Sequence, residues 1–385
     1  MELRLFFSKT FSQVGDLIFN TLLDLWILNT FGSSKTLATS LAVASSANFI
    51  ASFVGGYLAD SRYVGKFLLG IEFFSVVISF LNLFYLTAIG NQRPSILIIN
   101  LFLFLINFSN FLLSPLMKKA ISSYVQRERI PTYNQWTSVV GQVLTIVIPA
   151  ISTILYTKHF LTIEWALGIN AVSFLIGFIL LLPLLKFKLP PRNPDNRYSN
   201  TIKYVFRVPR LQEIILLGTI LSLFSAELNV FAPVFVTKTL HQQALYGIVV
   251  SFMAVGGILG ALSMHYFKIG KTLKTEYSFL ALLVLSLFVI FGFPNIYSMC
   301  LLAIIANLNL VRYGVLSQTF IQLQVPAEII GKTFSVLFFC LNLVMPLGSY
   351  LIGLVINQSS FLVSLLLIGT ALLPFTMILV YRQKA

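Results

Sequence analysis

Apolar runs of about twenty residues, separated by clusters of basic side chains, recur along the whole of this 385-residue chain. A run of that length crosses the hydrocarbon core of a bilayer as a helix. Hydrocarbon offers the backbone no hydrogen-bond partner, so only helices and closed barrels span it. A barrel would show short alternating strands, and none are visible. Composition agrees, with 57% apolar and 10% charged residues, where a soluble globule carries about 25% charged. The pattern predicts an all-α polytopic membrane protein.

Twelve spans are predicted, at 5–30, 36–60, 66–89, 94–118, 132–156, 163–186, 211–237, 244–267, 276–297, 299–323, 333–357 and 360–381. With both termini cytoplasmic, inner segments hold twenty lysines and arginines and outer loops only Lys35, Arg93, Lys158 and Lys238. That asymmetry is the positive-inside signature, and it requires an even number of spans. Lys9 and Arg312 are left inside spans. Residues 188–210, with Pro190, Pro191 and Pro194, read as a cytoplasmic linker between six-helix halves at 1–187 and 211–385. The first apolar stretch lacks a small-residue cleavage site, so it is expected to remain as a span.

Several classes are excluded. Cys300 and Cys340 are too few for a disulfide framework or a thiolate metal site. The net charge of +14 follows topology, so no nucleic-acid partner is expected. No phosphate-binding loop, hydrolase triad or metalloprotease helix is present. The chain is therefore not expected to be an enzyme, to drive transport with ATP, or to carry a metal or cofactor.

An internal repeat supports the two halves. Val54-Gly55-Gly56-Tyr57-Leu58 recurs as Val255-Gly256-Gly257-Ile258-Leu259 at an offset of 201 residues, and Gly65-Lys66 has a counterpart in Gly270-Lys271. Glycines of this kind let helices approach closely.

The loop between spans 2 and 3 reads Gly56-Tyr57-Leu58-Ala59-Asp60-Ser61-Arg62-Tyr63-Val64-Gly65-Lys66. It resembles the G-x-L-A-D-R-x-G-R-K pattern of the major facilitator superfamily, with the basic residues displaced. Val125-Gln126-Arg127-Glu128-Arg129-Ile130 and Val325-Pro326-Ala327-Glu328-Ile329-Ile330-Gly331-Lys332 resemble a second motif of that superfamily. Ser12-Gln13-Val14-Gly15-Asp16 is similar to the bacterial macrolide-efflux and enterobactin-exporter group. Of the antiporter signature in span 5, Gly141 and Pro149 remain. The resemblance implies a cavity lined mainly by spans 1, 4, 7 and 10. It also implies a gating loop in which Gly56, Asp60, Arg62 and Lys66 stabilise one state by charge pairing.

On span 1, Lys9, Gln13, Asp16, Asn20 and Asp24 fall within an arc of roughly 80°. Ionisable groups at membrane depth cost about 2.5–3.5 kcal/mol each, so they face a cavity or partners. Span 4 repeats the geometry with Asn107 and Asn110, span 5 with Asn134 and Gln142, and span 11 with Asn342. The competing reading is interhelical hydrogen bonding. Glu227 and Arg312 are the charged candidates of the second half. Glu227 is the nearest partner for Arg312 by topology, with Asp24 as the other candidate. Glu227 points away from the polar face formed by Gly218, Ser222, Ser225 and Asn229, so either it is a structural partner or Pro233 distorts the helix. Glu72 is expected to be neutralised by Arg62 or Lys66.

These readings predict a monomeric secondary transporter of a bacterial-type cytoplasmic membrane. It would export an amphipathic small molecule, drug-, macrolide- or siderophore-like, coupled to protons or another ion. The alternative is a lipid flippase or a non-transporting facilitator-fold sensor.

Overall fold

The computed structural model describes residues 1–31, 34–90, 94–186, 198–241, 245–264, 272–355, 363 and 366–372. Twelve helices are delimited within them: α1 (Glu2–Phe31), α2 (Ser34–Ala59), α3 (Val64–Ile89), α4 (Ile96–Tyr124), α5 (Ile130–Thr157), α6 (Ile163–Leu181), α7 (Tyr198–Val205), α8 (Pro209–Val234), α9 (Tyr246–Ser263), α10 (Thr272–Gly292), α11 (Ile296–Gln324) and α12 (Ile330–Val355). Eleven of them fall on the first eleven predicted spans, and α7 lies in the linker. Residues 366–372 of the twelfth span are helical. The prolines at 190, 191 and 194, Gly270-Lys271, Arg93 and the C-terminal basic residues lie outside the described residues.

Eight helical segments are long and apolar enough to cross a membrane among the described residues. They comprise α3 to α6, α8, α9, α11 and α12, with short flanking turns in some cases. Helix α1 falls short because of the polar residues it carries, Lys9, Asp16 and Asp24 among them. Side chains such as Phe84, Leu97 and Trp165 are more than half exposed, as suits a surface solvated by lipid.

The helices group into two compact units that are not colinear with the sequence. The first contains residues 1–130, 143–202 and 321–336, the second residues 131–142, 203–320 and 337–385. In the first, α6 packs on α1 and α3, and α4 packs on α2 and α3. Phe19, Leu22 and Ile27 of α1 meet Ile78 of α3, Ile99 and Ile106 of α4, and Leu167 of α6 in one apolar cluster. In the second, Leu221, Phe224 and Leu228 of α8 share a cluster with Leu287 of α10 and Leu302 of α11.

Lipid is as apolar as leucine, so close packing rather than exclusion from water holds such helices together. The repeated glycine pair supplies that packing in both units. A Cβ on Gly55 would come 2.6 Å from Pro115 Cγ on α4, and one on Gly256 would strike the Ile304 carbonyl on α11. Backbone cannot yield as a flexible side chain can. Gly256→Ala is therefore expected to lower stability by about 1–3 kcal/mol, read as earlier thermal unfolding in detergent. Gly247→Ala, where a Cβ would meet nothing, is the control and is expected to be neutral.

Candidate functional site

In the first unit, the polar stripe of α1 meets α4. Asp16 hydrogen-bonds with the Asn110 side chain, which joins two residues singled out from the sequence. Asn107 donates its Nδ2 to the carbonyl of Leu103 on its own helix at 2.9 Å. Asp24 is half-buried and Asn20 is exposed. Further along the stripe, Lys9 lies within electrostatic range of Lys118 on α4.

Glu72 departs from expectation. Arg62 and Lys66 do not neutralise it: both are exposed, and both lie over the ring of Tyr63, at 4.5 and 5.2 Å from its centroid. Glu72 is 1% exposed and turns inward, where it and Ser12 of α1 face the same point on α6, Gly177. Its place in the third turn of α3 carries it into the helix seam, away from the loop.

The loop between spans 2 and 3 is built around Asp60, which stands in the turn just after α2. Its Oδ1 accepts the Gly331 N–H at 2.7 Å, and its Oδ2 accepts the Lys332 N–H at 2.9 Å. Those two groups belong to the first turn of α12, where unpaired N–H groups and the helix dipole favour an anion. Lys332 Nζ stands 3.7 Å from Oδ2, and both side chains are fully buried. The basic partners of Asp60 are therefore Lys332, in contact, and Lys119, within electrostatic range, and not the expected Arg62 or Lys66. Two glycines allow this approach. A Cβ on Gly331 would collide with Ala59 Cβ and come 2.9 Å from Asp60 Oδ1, while one on Gly56 would meet Ser335 and the Tyr198 hydroxyl. Burial pushes the Tyr198 phenol above its usual range, so it stays neutral. Around the clasp, Lys119 donates to the Ala327 carbonyl, Arg127 to the Leu323 carbonyl at 2.8 Å, and Gln322 to the Lys118 carbonyl at 3.0 Å.

In the second unit, Ser225 and Asn229 of α8 line a cavity of about 50 Å³ with Met253 of α9 and Asn307 of α11. Asn307 donates its Nδ2 to the Met253 carbonyl at 2.6 Å and reaches Gln142 Oε1 at 3.5 Å. Asn134 donates to Thr319 Oγ1 at 3.0 Å, an interhelical hydrogen bond of the structural kind. Asn342 is exposed on α12.

Among the described residues of the second unit, Arg312 pairs with Glu276 and not with Glu227. Its Nε and NH2 meet Glu276 of α10 at 3.0 and 2.7 Å, its NH1 donates to Ser263 Oγ at 2.8 Å, and its guanidinium lies 4.1 Å from the Phe279 ring centroid. Glu227, wholly buried, instead accepts the Thr370 hydroxyl at 2.8 Å. Pro233 does not turn Glu227 toward the cavity, because the distortion begins later, as a wide turn at Phe235–Thr239. Glu276 is not among the sequence candidates because it stands at the very first position of the ninth predicted span, 276–297. The signal was its distance from Glu72: 204 residues, close to the 201-residue repeat.

Comparisons with known proteins agree with this architecture. A bacterial homologue of the iron transporter ferroportin, in an outward-facing state, superposes with a TM-score of 0.78 at 15% identity, covering 99% of both chains. The transporter FucP in its outward conformation gives 0.71 at 10% identity over 97% of each. The human organic anion transporter MFSD10 gives 0.68 at 15% identity, over 97% of this chain and 99% of that one. Such identities speak for the fold alone. Among curated proteins no match is found. The family model of the Major Facilitator Superfamily matches residues 5–349, and the chain belongs to that superfamily of membrane transporters.

Proposed function

We propose that the chain is an ion-coupled secondary transporter that exports an amphipathic small molecule across a cytoplasmic membrane by alternating access. The reading rests on α1, taken as the first span: it would hold Asp16 and Asp24 at membrane depth, and Asp16 is bonded to the neutral Asn110. Carboxylates kept at that depth are usually functional. Protonation of either would couple a gradient to substrate release, and the N-terminal stripe with Asn107 and Asn110 would line the path. Arg312 drops out as a substrate anchor because Glu276, Ser263 and Phe279 already engage it. With that cation occupied and Lys9 lying toward Lys118, the two aspartates of the stripe favour a lipophilic cation as cargo. Two of the similar folds are a homologue of an iron transporter and an organic anion transporter, so cargo charge varies within this fold and the side chains select it.

The test is transport of a panel of lipophilic cations, with organic anions and ferrous iron as comparators, into proteoliposomes under an imposed pH gradient. Gradient-driven accumulation of a cation is expected for the native chain. Asp16→Asn and Asp24→Asn should keep counterflow exchange while losing uphill accumulation at least tenfold. Full gradient-driven flux in both variants and in the double variant would remove α1 from coupling. Absence of flux for every compound would reject the transporter reading.

A further inference from the structure

The two halves carry a carboxylate at matching places, Glu72 on α3 and Glu276 on α10, and close them in different ways. Glu276 is held by the Arg312 guanidinium. Glu72 is as deeply buried, and among the described residues no lysine or arginine forms an ion pair with it. What faces it is Ser12 of α1, whose Oγ is also buried without a partner, and the like charge of Asp16, one turn further along α1.

Other charged groups on the surrounding helices are engaged elsewhere or lie apart. Lys118 on α4 interacts with Lys9, and Lys119 with Asp60 and Glu328. Glu164 at the start of α6 is half-buried and accepts the Thr162 hydroxyl. Two carboxylates close together without a cation do not both ionise at ordinary pH.

A second observation comes from α6. Asn170 is 0% exposed, and neither its Nδ2 nor its Oδ1 has a hydrogen-bond partner. It is aimed at α1 beside Asp16, for a Cβ on Gly15 would come 2.9 Å from Asn170 Oδ1. Glu72 Oε2 and Asp16 Oδ1 are likewise buried without partners. The seam is tight: a Cβ on Gly177 would lie 3.0 Å from Ser12 Oγ, 3.3 Å from Ser8 Oγ and 3.4 Å from Glu72 Oε1. Such packing suits a proton better than a hydrated ion.

We propose that Glu72 and Asp16 form one proton-binding site in the seam between α1, α3 and α6, with Glu72 as its hidden member. The site deepens the ion-coupled reading above and rests on it for its use in transport. Ser75, Ser79 and Asn82 continue the buried face of α3 away from Glu72, and Ser79 Oγ and Asn82 Oδ1 are also unpartnered. They extend the polar track from the site toward the C-terminal end of α3.

The experiment is a pH titration of the full chain in lipid, followed by infrared difference spectroscopy of protonated carboxyl groups. It needs no substrate, so it reports on the site even if transport fails. The native chain should show a carboxylic-acid band that disappears as pH rises, and Glu72→Gln should remove it. Asp16→Asn should move the midpoint of the Glu72 band to lower pH by about one unit or more, since a neighbouring charge shifts such a group by about 1–3 units. If Glu72→Gln does not fold, Glu72→Asp keeps a carboxyl group and should displace the band. A band unchanged in Glu72→Gln or Glu72→Asp overturns the proposal. So does a midpoint unmoved by Asp16→Asn, or a Glu72 band that persists at every pH.

Discussion

Arg312→Met is expected to cost more folded protein than any other single change considered above. The substitution would leave Glu276, 3% exposed, without the guanidinium that neutralises it. It would also remove the bond to Ser263 and the contact with Phe279. Breaking a buried ion pair from one side costs about 3–5 kcal/mol, because the remaining charge stays buried and uncompensated. Replacing both partners by apolar groups of similar volume is often neutral. The double variant Arg312→Met/Glu276→Met should therefore recover most of the loss. Monodisperse yield and thermal unfolding in detergent measure both. A single variant as stable as the native chain would deny the pair its structural role. A double variant as damaged as the single one would place the cost in lost packing.

That pair also marks where reading the sequence stopped short. The placement of eleven helices followed from run length and charge alone, because hydrocarbon thickness and backbone hydrogen bonding leave a helix few alternatives. The stripe of α1 was legible for the same reason, since polar residues spaced along one face of a membrane helix stand out against lipid. Partner choice was not legible. Arg312 could reach any acid on a neighbouring helix, and the nearest by topology was Glu227, yet packing turns Glu227 toward Thr370 and brings Glu276 across instead. Glu72 shows the same limit. Proximity in sequence favoured Arg62 and Lys66, while the two find a better platform on Tyr63 and the helix carries Glu72 into a seam. The span 2–3 motif predicted that Asp60 would be held by charge, but most of what holds it is backbone. Neither Gly331 nor the Lys332 N–H is visible as a partner until α12 is in place.

Asp60→Asn is expected to loosen the contact between the α2–α3 turn and the start of α12, and to do so more than Lys332→Met. An asparagine keeps one acceptor oxygen but turns an amide NH₂ toward a backbone N–H, so one of two buried donors loses its bond. An unsatisfied buried group costs about 1–3 kcal/mol, and lost attraction between the carboxylate and the helix dipole adds about 0.3–1 kcal/mol. Lys332→Met removes only the longer contact, 3.7 Å against 2.7 and 2.9 Å, and leaves both backbone bonds in place. Spin labels at Lys66 and Gln324, both exposed and on either side of the clasp, should give one short distance in the native chain. A second, longer population should appear in Asp60→Asn, and a smaller one in Lys332→Met. If the clasp gates alternating access, the same order should appear as loss of gradient-driven flux with counterflow retained. The reverse order would make the ion pair, rather than the helix terminus, the source of the hold. Unchanged distances in both variants, with full flux, would reduce Asp60 to a residue that flanks a span and closes nothing.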